Sequence, residues 1–229
     1  MIVTDNFSFV HLHKCGGTFI IDIIKKHFSS AKTIGYHLPA SKIPKEYHHL
    51  PILGVIRNPF AYYVSWFTFQ QTLIKPTFVW QVFSDNGSLD FNNVIERMLC
   101  IGENYKLINE LIERAPLSYT NKNVNLIKDN IASIKDSKNG WFSFLFNHMY
   151  QSLPITFIHT ENLRNDLYHF LRNTGVMTSE LKTLIYNSPA LNTTQHDKIE
   201  NYYSNELKKL ILLKDNTIIK RFNYSLSAI

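Results

Sequence analysis

The chain has 229 residues and a mass of 26.7 kDa, with 45% hydrophobic and 18% charged residues. This balance favours one globular domain with a substantial core and excludes a disordered chain. The formal charge of +6 and pI near 9.2 suit an anionic ligand, but the sequence has no long run of like charges and no arginine-rich stripe, which argues against nucleic acid. Two cysteines, Cys15 and Cys100, are too few for a disulfide scaffold or a cysteine-based zinc site. No segment reaches the roughly 18 uninterrupted apolar residues of a spanning helix, and MIVTDNFSF shows no basic region followed by an apolar block, so the expectation is a cytoplasmic protein without a membrane span.

In chain order, Phe7 to Leu12 alternates and is β-rich, predicting a strand. His13-Lys14-Cys15-Gly16-Gly17-Thr18 reads as a loop, and Phe19 to Phe28 as a helix with Ile20, Ile23 and Ile24 at helical spacing. Lys32 to His37 predicts a second strand, broken by Pro39. Pro51 to Arg57 is an apolar run of buried-strand character stopped by Asn58-Pro59, and an enclosed helix is expected from Phe60 to Leu73. From about 75 to 150 the pattern is less regular and mainly helical. It predicts two helices around Val94–Ile101 and Ile108–Ile112, parted near Gly102, and a third from Asn123 to Ile134. A short strand at Ile155 to His159, and helices at Glu161 to Thr174, Glu180 to Tyr186 and Lys198 to Leu213, complete the reading. No linker or repeat interrupts the chain. Strands alternating with helices predict an α/β fold, a central parallel sheet flanked by helices on both faces in three layers, with ligands at the carboxyl ends of the strands.

Two segments carry chemistry. In strand–HKCGGT–helix, the glycines let backbone N–H groups and a helix N-terminus converge on an anion, while Lys14 adds a mobile positive charge and Thr18 a hydroxyl. It is not a Walker A loop, where the lysine follows the glycines. In the second, Arg57 ends a strand, Asn58-Pro59 starts a helix, and Ser65 lies two turns in. Arginine there is a bidentate oxyanion binder. Each segment alone is compatible with an ordinary βα turn or a surface arginine; a ligand with separated phosphates would bridge the two.

Together, Phe9 to Thr18 and Arg57-Asn58-Pro59 through Ser65 resemble the 5′-phosphosulfate loop and 3′-phosphate motif of sulfotransferases that use 3′-phosphoadenosine 5′-phosphosulfate (PAPS), closest to the carbohydrate and bacterial branch. Thr160 to Leu167, Tyr202 to Leu207 and Phe222-Asn223-Tyr224 carry weaker echoes. His13 stands where the family has proline, and Asn223 where it has glycine. The resemblance implies a P-loop-like fold, with PAPS as co-substrate, adenosine 3′,5′-bisphosphate as product, and no metal. It implies binding by Lys14, Cys15, Gly16, Gly17, Thr18, Phe19, Arg57 and Ser65, with Thr194 in a nucleotide-closing loop. It further implies catalysis by Lys14 at the leaving group and by His37 as base, and a small-molecule or glycan acceptor, with carbohydrate expected.

His11 is expected to pack along its strand. Trp80, Trp141, Phe142, Phe144 and Tyr150 could stack on a sugar ring or fill a core, and their spacing does not decide between these. Two rivals stay open: a P-loop-like kinase or nucleotide hydrolase, which should show a carboxylate where Arg57 stands, and a nucleotide-binding relative without activity.

Overall fold

The computed structural model describes residues 1–120, 125–151, 153–191 and 196–225. In chain order its elements are β1 (Ile2–Val3), β2 (Ser8–His11), α1 (Gly17–His27), β3 (Lys32–Thr33), β4 (Ile52–Ile56), α2 (Pro59–Gln71), α3 (Phe78–Phe83), α4 (Phe91–Leu99), α5 (Tyr105–Arg114), α6 (Lys128–Ala132), α7 (Trp141–Tyr150), β5 (Thr156–His159), α8 (Leu163–Asn173), α9 (Ser179–Asn187), α10 (Asn205–Lys214) and α11 (Asn216–Arg221). They form two compact units, Met1–Arg57 with Met149–Thr193 and Asn58–His148 with Thr194–Ile229, each assembled from two separate stretches of chain. Among the described residues no helix is long and apolar enough to cross a membrane.

The first unit holds a five-stranded sheet in the order β3-β1-β2-β4-β5. β2, β4 and β5 are parallel, and β1 and β3 are antiparallel additions at one side. This is the α/β class that the alternation predicts, a central, mostly parallel sheet flanked by helices. β2 and β4 are buried at every position, the reason β4 reads as a continuous apolar run; in β2 the alternation read over Phe7 to Leu12 marks no exposed face, because Ser8 and His11 are buried with their neighbours. Gly54 lets β5 lie close, because a Cβ there would stand 2.7 Å from the Ile155 side chain. α1 buries Phe19, Ile20, Ile23 and Ile24, and its last turn carries Lys25, Lys26 and His27, where cations complement the helix dipole. Phe7 sits edge-on to both Phe28 and Phe170, at 5.3 and 5.5 Å, tying the ends of α1 and α8 to β2.

Two strand expectations change. β1 has no counterpart in the sequence pattern, since two residues have no periodicity to read. The strand expected from Lys32 to His37 stops at Thr33 and runs antiparallel at the sheet edge. The chain then turns through Gly35 to His37, whose φ of 49° is left-handed and cannot continue a strand.

The second unit is helical. Asn58 caps α2 by accepting from the Phe60 N–H, with Pro59 at the first helical position, and its Nδ2 donates to the Ser225 carbonyl at 2.8 Å. α2 is apolar on most faces because Tyr62, Tyr63 and Trp66 are all fully buried. α3 and α7 have no counterpart in the sequence reading: α3 spans six residues, too few to show a helical period, and α7, aromatic and apolar like α2, lacks the Asn-Pro stop that marks the start of α2. The third helix of the middle shortens to α6, part of the expected span (123–124) lying outside the described residues. The helix expected from Lys198 splits into a 3₁₀ turn at Ile199–Tyr202 and α10, whose cap Ser204 accepts from the Leu207 N–H.

Asp215 is the polar centre of this unit. It is fully buried, and its carboxylate accepts from the Tyr63 hydroxyl (2.8 Å), the Ser143 hydroxyl (2.6 Å) and the Ser143 N–H (3.0 Å). Burial raises its pKa against the pull of those three donors. Asp215→Ala orphans buried donors at a cost of about 1–3 kcal/mol each. Urea unfolding should show a lower midpoint with an unchanged slope, and Asp215→Asn should lose less.

Candidate functional site

The parallel register His11↔Val55 and Ile56↔His159 brings the carboxyl ends of β2, β4 and β5 level. The residues just beyond β4 and β5 converge on the loop between β2 and α1. Arg57, after β4, donates from Nη1 to the Lys14 carbonyl at 3.0 Å. The Thr160 hydroxyl, after β5, lies 2.9 Å from both the Cys15 and the Ile56 carbonyls and shares its hydrogen between them. In a trans peptide the N–H points opposite the C=O of the same plane, and the chain has no cis bond among the described residues. Holding the carbonyls of Lys14 and Cys15 toward Arg57 and Thr160 therefore turns the N–H groups of Cys15 and Gly16 away from them, beside the first turn of α1.

The loop conformation depends on left-handed backbone at Lys14 (φ 63°) and Gly16 (φ 79°). At Gly16 the absence of Cβ makes that conformation cheap, whereas at Lys14 it is strained. Gly16 is the N-cap of α1 and supplies no side-chain cap, so the terminal N–H groups have no capping oxygen from that residue. Gly17 is required for a different reason: a Cβ there would stand 2.6 Å from the His11 ring.

Burial, then the neighbouring Arg57 charge, brings the Lys14 pKa down to about 8. Burial pushes the Cys15 thiol far up, leaving it a packed, unreactive group. His37 is buried, and its Nδ1 lies 3.1 Å from the His11 carbonyl. A carbonyl only accepts, so Nδ1 carries the hydrogen and the neutral ring keeps its lone pair on Nε2. Burial lowers the His37 pKa to about 4, outweighing that hydrogen bond. The His13 ring lies 5.9 Å from the His37 ring, and its pKa is held well below the usual value by burial and then by His37.

Lys14, Cys15, Gly16, Gly17, Thr18, Phe19, His37 and Arg57 thus all belong to the first unit. Lys14 and Arg57 meet directly, and His37 reaches the end of β2 through a turn rather than at the end of a strand. Phe19 is buried beneath the Arg164 guanidinium at 4.6 Å, which in turn donates to the Ser188 carbonyl. Ser65 belongs to the second unit, buried within α2. Thr194 lies outside the described residues. Trp80, Trp141, Phe142 and Tyr150 are buried, so their apolar surface fills cores; the Tyr150 hydroxyl accepts from the Leu12 N–H at 3.0 Å and donates to the Val55 carbonyl at 2.7 Å. Sequence reasoning assigns no role to Thr160 or to the His11 ring. A hydroxyl residue directly after the third parallel strand is the available signal for Thr160. Among the described residues no group of three or more His, Cys, Asp or Glu side chains is arranged to hold a metal ion.

No protein-family model matches the chain, and no curated protein matches it. The crystal structure of a mouse sulfotransferase complexed with PAP resembles it with a TM-score of 0.46 and 13% identity, covering 98% of this chain and 87% of that one.

Thr160→Val keeps the side-chain shape and removes the hydroxyl that holds the Cys15 carbonyl. Calorimetry with pyrophosphate as the anion probe should show binding weakened about fivefold, equivalent to ~1 kcal/mol, with the melting temperature little changed.

Proposed function

We propose that this chain is a PAPS-dependent sulfotransferase that moves a sulfuryl group to an acceptor hydroxyl, with carbohydrate as the expected acceptor class. The observation that carries the reading is the Arg57–Lys14 hydrogen bond. It joins the two anion-binding segments at neighbouring strand ends and packs two cations together, an arrangement that stabilises a multiply charged anion. An anion relieves the like-charge repulsion that lowers the Lys14 pKa. Arg57, where a kinase would hold a carboxylate for its metal, favours a sulfated nucleotide over a metal-bound triphosphate.

In this reading the N–H groups from Cys15 to Phe19 and the Thr18 hydroxyl hold the 5′-phosphosulfate. Arg57 holds the 3′-phosphate; the resemblance implies Ser65 as a further ligand to it and Thr194 in a nucleotide-closing loop. The acceptor oxygen attacks sulfur in line. His37 Nε2 takes the acceptor proton, the new S–O bond forms as the bond to the 5′-phosphate breaks, and Lys14 meets the charge left on the bisphosphate. A single domain, a cytoplasmic setting and an acceptor site within the helical region 75–150 belong to the same proposal.

Titration calorimetry without metal should give micromolar binding of adenosine 3′,5′-bisphosphate and none of ATP or GTP, with Arg57→Ala losing it. Binding of ATP strengthened by Mg²⁺ would sink the reading in favour of a kinase. With water as the acceptor probe, bisphosphate release from PAPS should show a plateau in kcat/KM. Its acid limb falls as His37 protonates near pH 4, and its alkaline limb falls as Lys14 loses its proton near pH 8. Bound anion raises the Lys14 pKa again, so the alkaline limb of kcat itself lies higher. An acid limb near 6.5, the ordinary imidazole value, would point away from His37.

A further inference from the structure

His11, the last residue of β2, carries the one imidazole at this site whose two ring nitrogens are both buried and without a hydrogen-bond partner, among the described residues. The ring is 2% exposed. It fills the space left by the missing Cβ of Gly17 and meets the His37 ring edge-on at 4.2 Å, while the carbonyl of the same residue accepts from His37 Nδ1. Phe9 lies on another side at 5.5 Å. A phenyl ring would suit this apolar slot better, because a buried polar group without a partner destabilises the fold. An imidazole kept at such a cost calls for a reason outside stability.

We propose that His11 is a positioning residue for the transfer reaction, its neutral imidazole accommodating the positive charge that appears on His37 when His37 takes the acceptor proton. The inference rests on the proposed sulfotransferase reading and names a residue that reading does not use. When Nε2 of His37 gains the proton, the Nδ1–H bond to the His11 carbonyl becomes charge-assisted and strengthens. The adjoining His11 ring, centred 4.2 Å away, brings a lone-pair nitrogen into the surroundings of the new imidazolium, replacing part of the solvation that burial denies it. A phenyl ring offers no such lone pair. The titratable groups facing the pair are His13 from the loop (itself beside Lys14), Tyr36 beside His37, and the amine of Met1 ahead of β1; the amine is itself lowered to about 5 by burial, then Lys25. None of these is a carboxylate, so the imidazole is the group placed to take up the charge.

The test compares His11→Phe and His11→Gln with the parent chain in three readouts: thermal melting, the imidazole titration of His37 followed by NMR, and bisphosphate release from PAPS with water as acceptor. His11→Phe should melt at the same temperature or higher, move the His37 titration further below its parent value, and lower kcat at least tenfold with KM for PAPS within about twofold. His11→Gln, which restores a lone-pair acceptor, should recover part of kcat and bring the titration back. A His11→Phe chain with unchanged kcat and unchanged His37 titration overturns the proposal, as does a loss of kcat that tracks a loss of melting temperature in both variants. If the His37 titration moves as expected but no PAPS turnover is found in the parent chain, the pairing of the two histidines stands and the sulfotransferase reading fails.

Discussion

The site depends on where three carbonyls are held. Lys14, Cys15 and Ile56 end their peptide planes at the carboxyl edge of the sheet, and Arg57 and Thr160 supply the donors that hold them. Without those donors, a loop with left-handed backbone at a lysine would relax toward ordinary turn geometry, and its N–H groups would scatter. With them, the loop arrives already organised for an anion. Repulsion between Lys14 and Arg57 is the one of these costs that a negative charge would relieve. The parallel pairing of β2, β4 and β5 is the geometric precondition, since it alone brings the residues after β4 and β5 level with the loop after β2.

His37 reaches this edge by another route. Its strand ends early, and a left-handed turn carries the ring back to the His11 carbonyl. That one hydrogen bond fixes the tautomer, and with it the nitrogen that can accept a proton. Burial keeps the ring neutral throughout the physiological range, and the His11 imidazole is its edge-on neighbour at 4.2 Å. In the proposed reaction, a base of this kind would work through placement more than through proton affinity.

In the helical second unit the aromatic content that suggested ring stacking is used for packing. Tyr62 stacks on Phe142 at 4.2 Å, and Phe83 meets Trp141 at 5.1 Å. Asp215 draws Tyr63 and Ser143 together from distant parts of the chain, a satisfied polar centre inside an apolar surround. Specificity of packing there comes from one carboxylate more than from any surface ion pair.

The sequence by itself determined the elements whose signal is local. The alternation over Phe7 to Leu12 that gave β2, the apolar run of β4, the Gly16-Gly17 turn and the Asn58-Pro59 stop are written in side-chain polarity and backbone freedom, so the α/β class and the positions of Lys14 and Arg57 could be read directly. Short or unmarked elements were harder. β1 has two residues and no period, the strand read from Lys32 to His37 ends at Thr33, α3 is under two turns long, and α7 has no stop residue to mark its start. Only the tertiary structure decided that Arg57 bonds the Lys14 carbonyl, that Thr160 completes the clasp, and that His11 lies between Gly17 and His37. Each of those contacts joins residues from separate elements, and a one-dimensional pattern records chemistry along the chain but not which groups folding will bring within hydrogen-bonding distance.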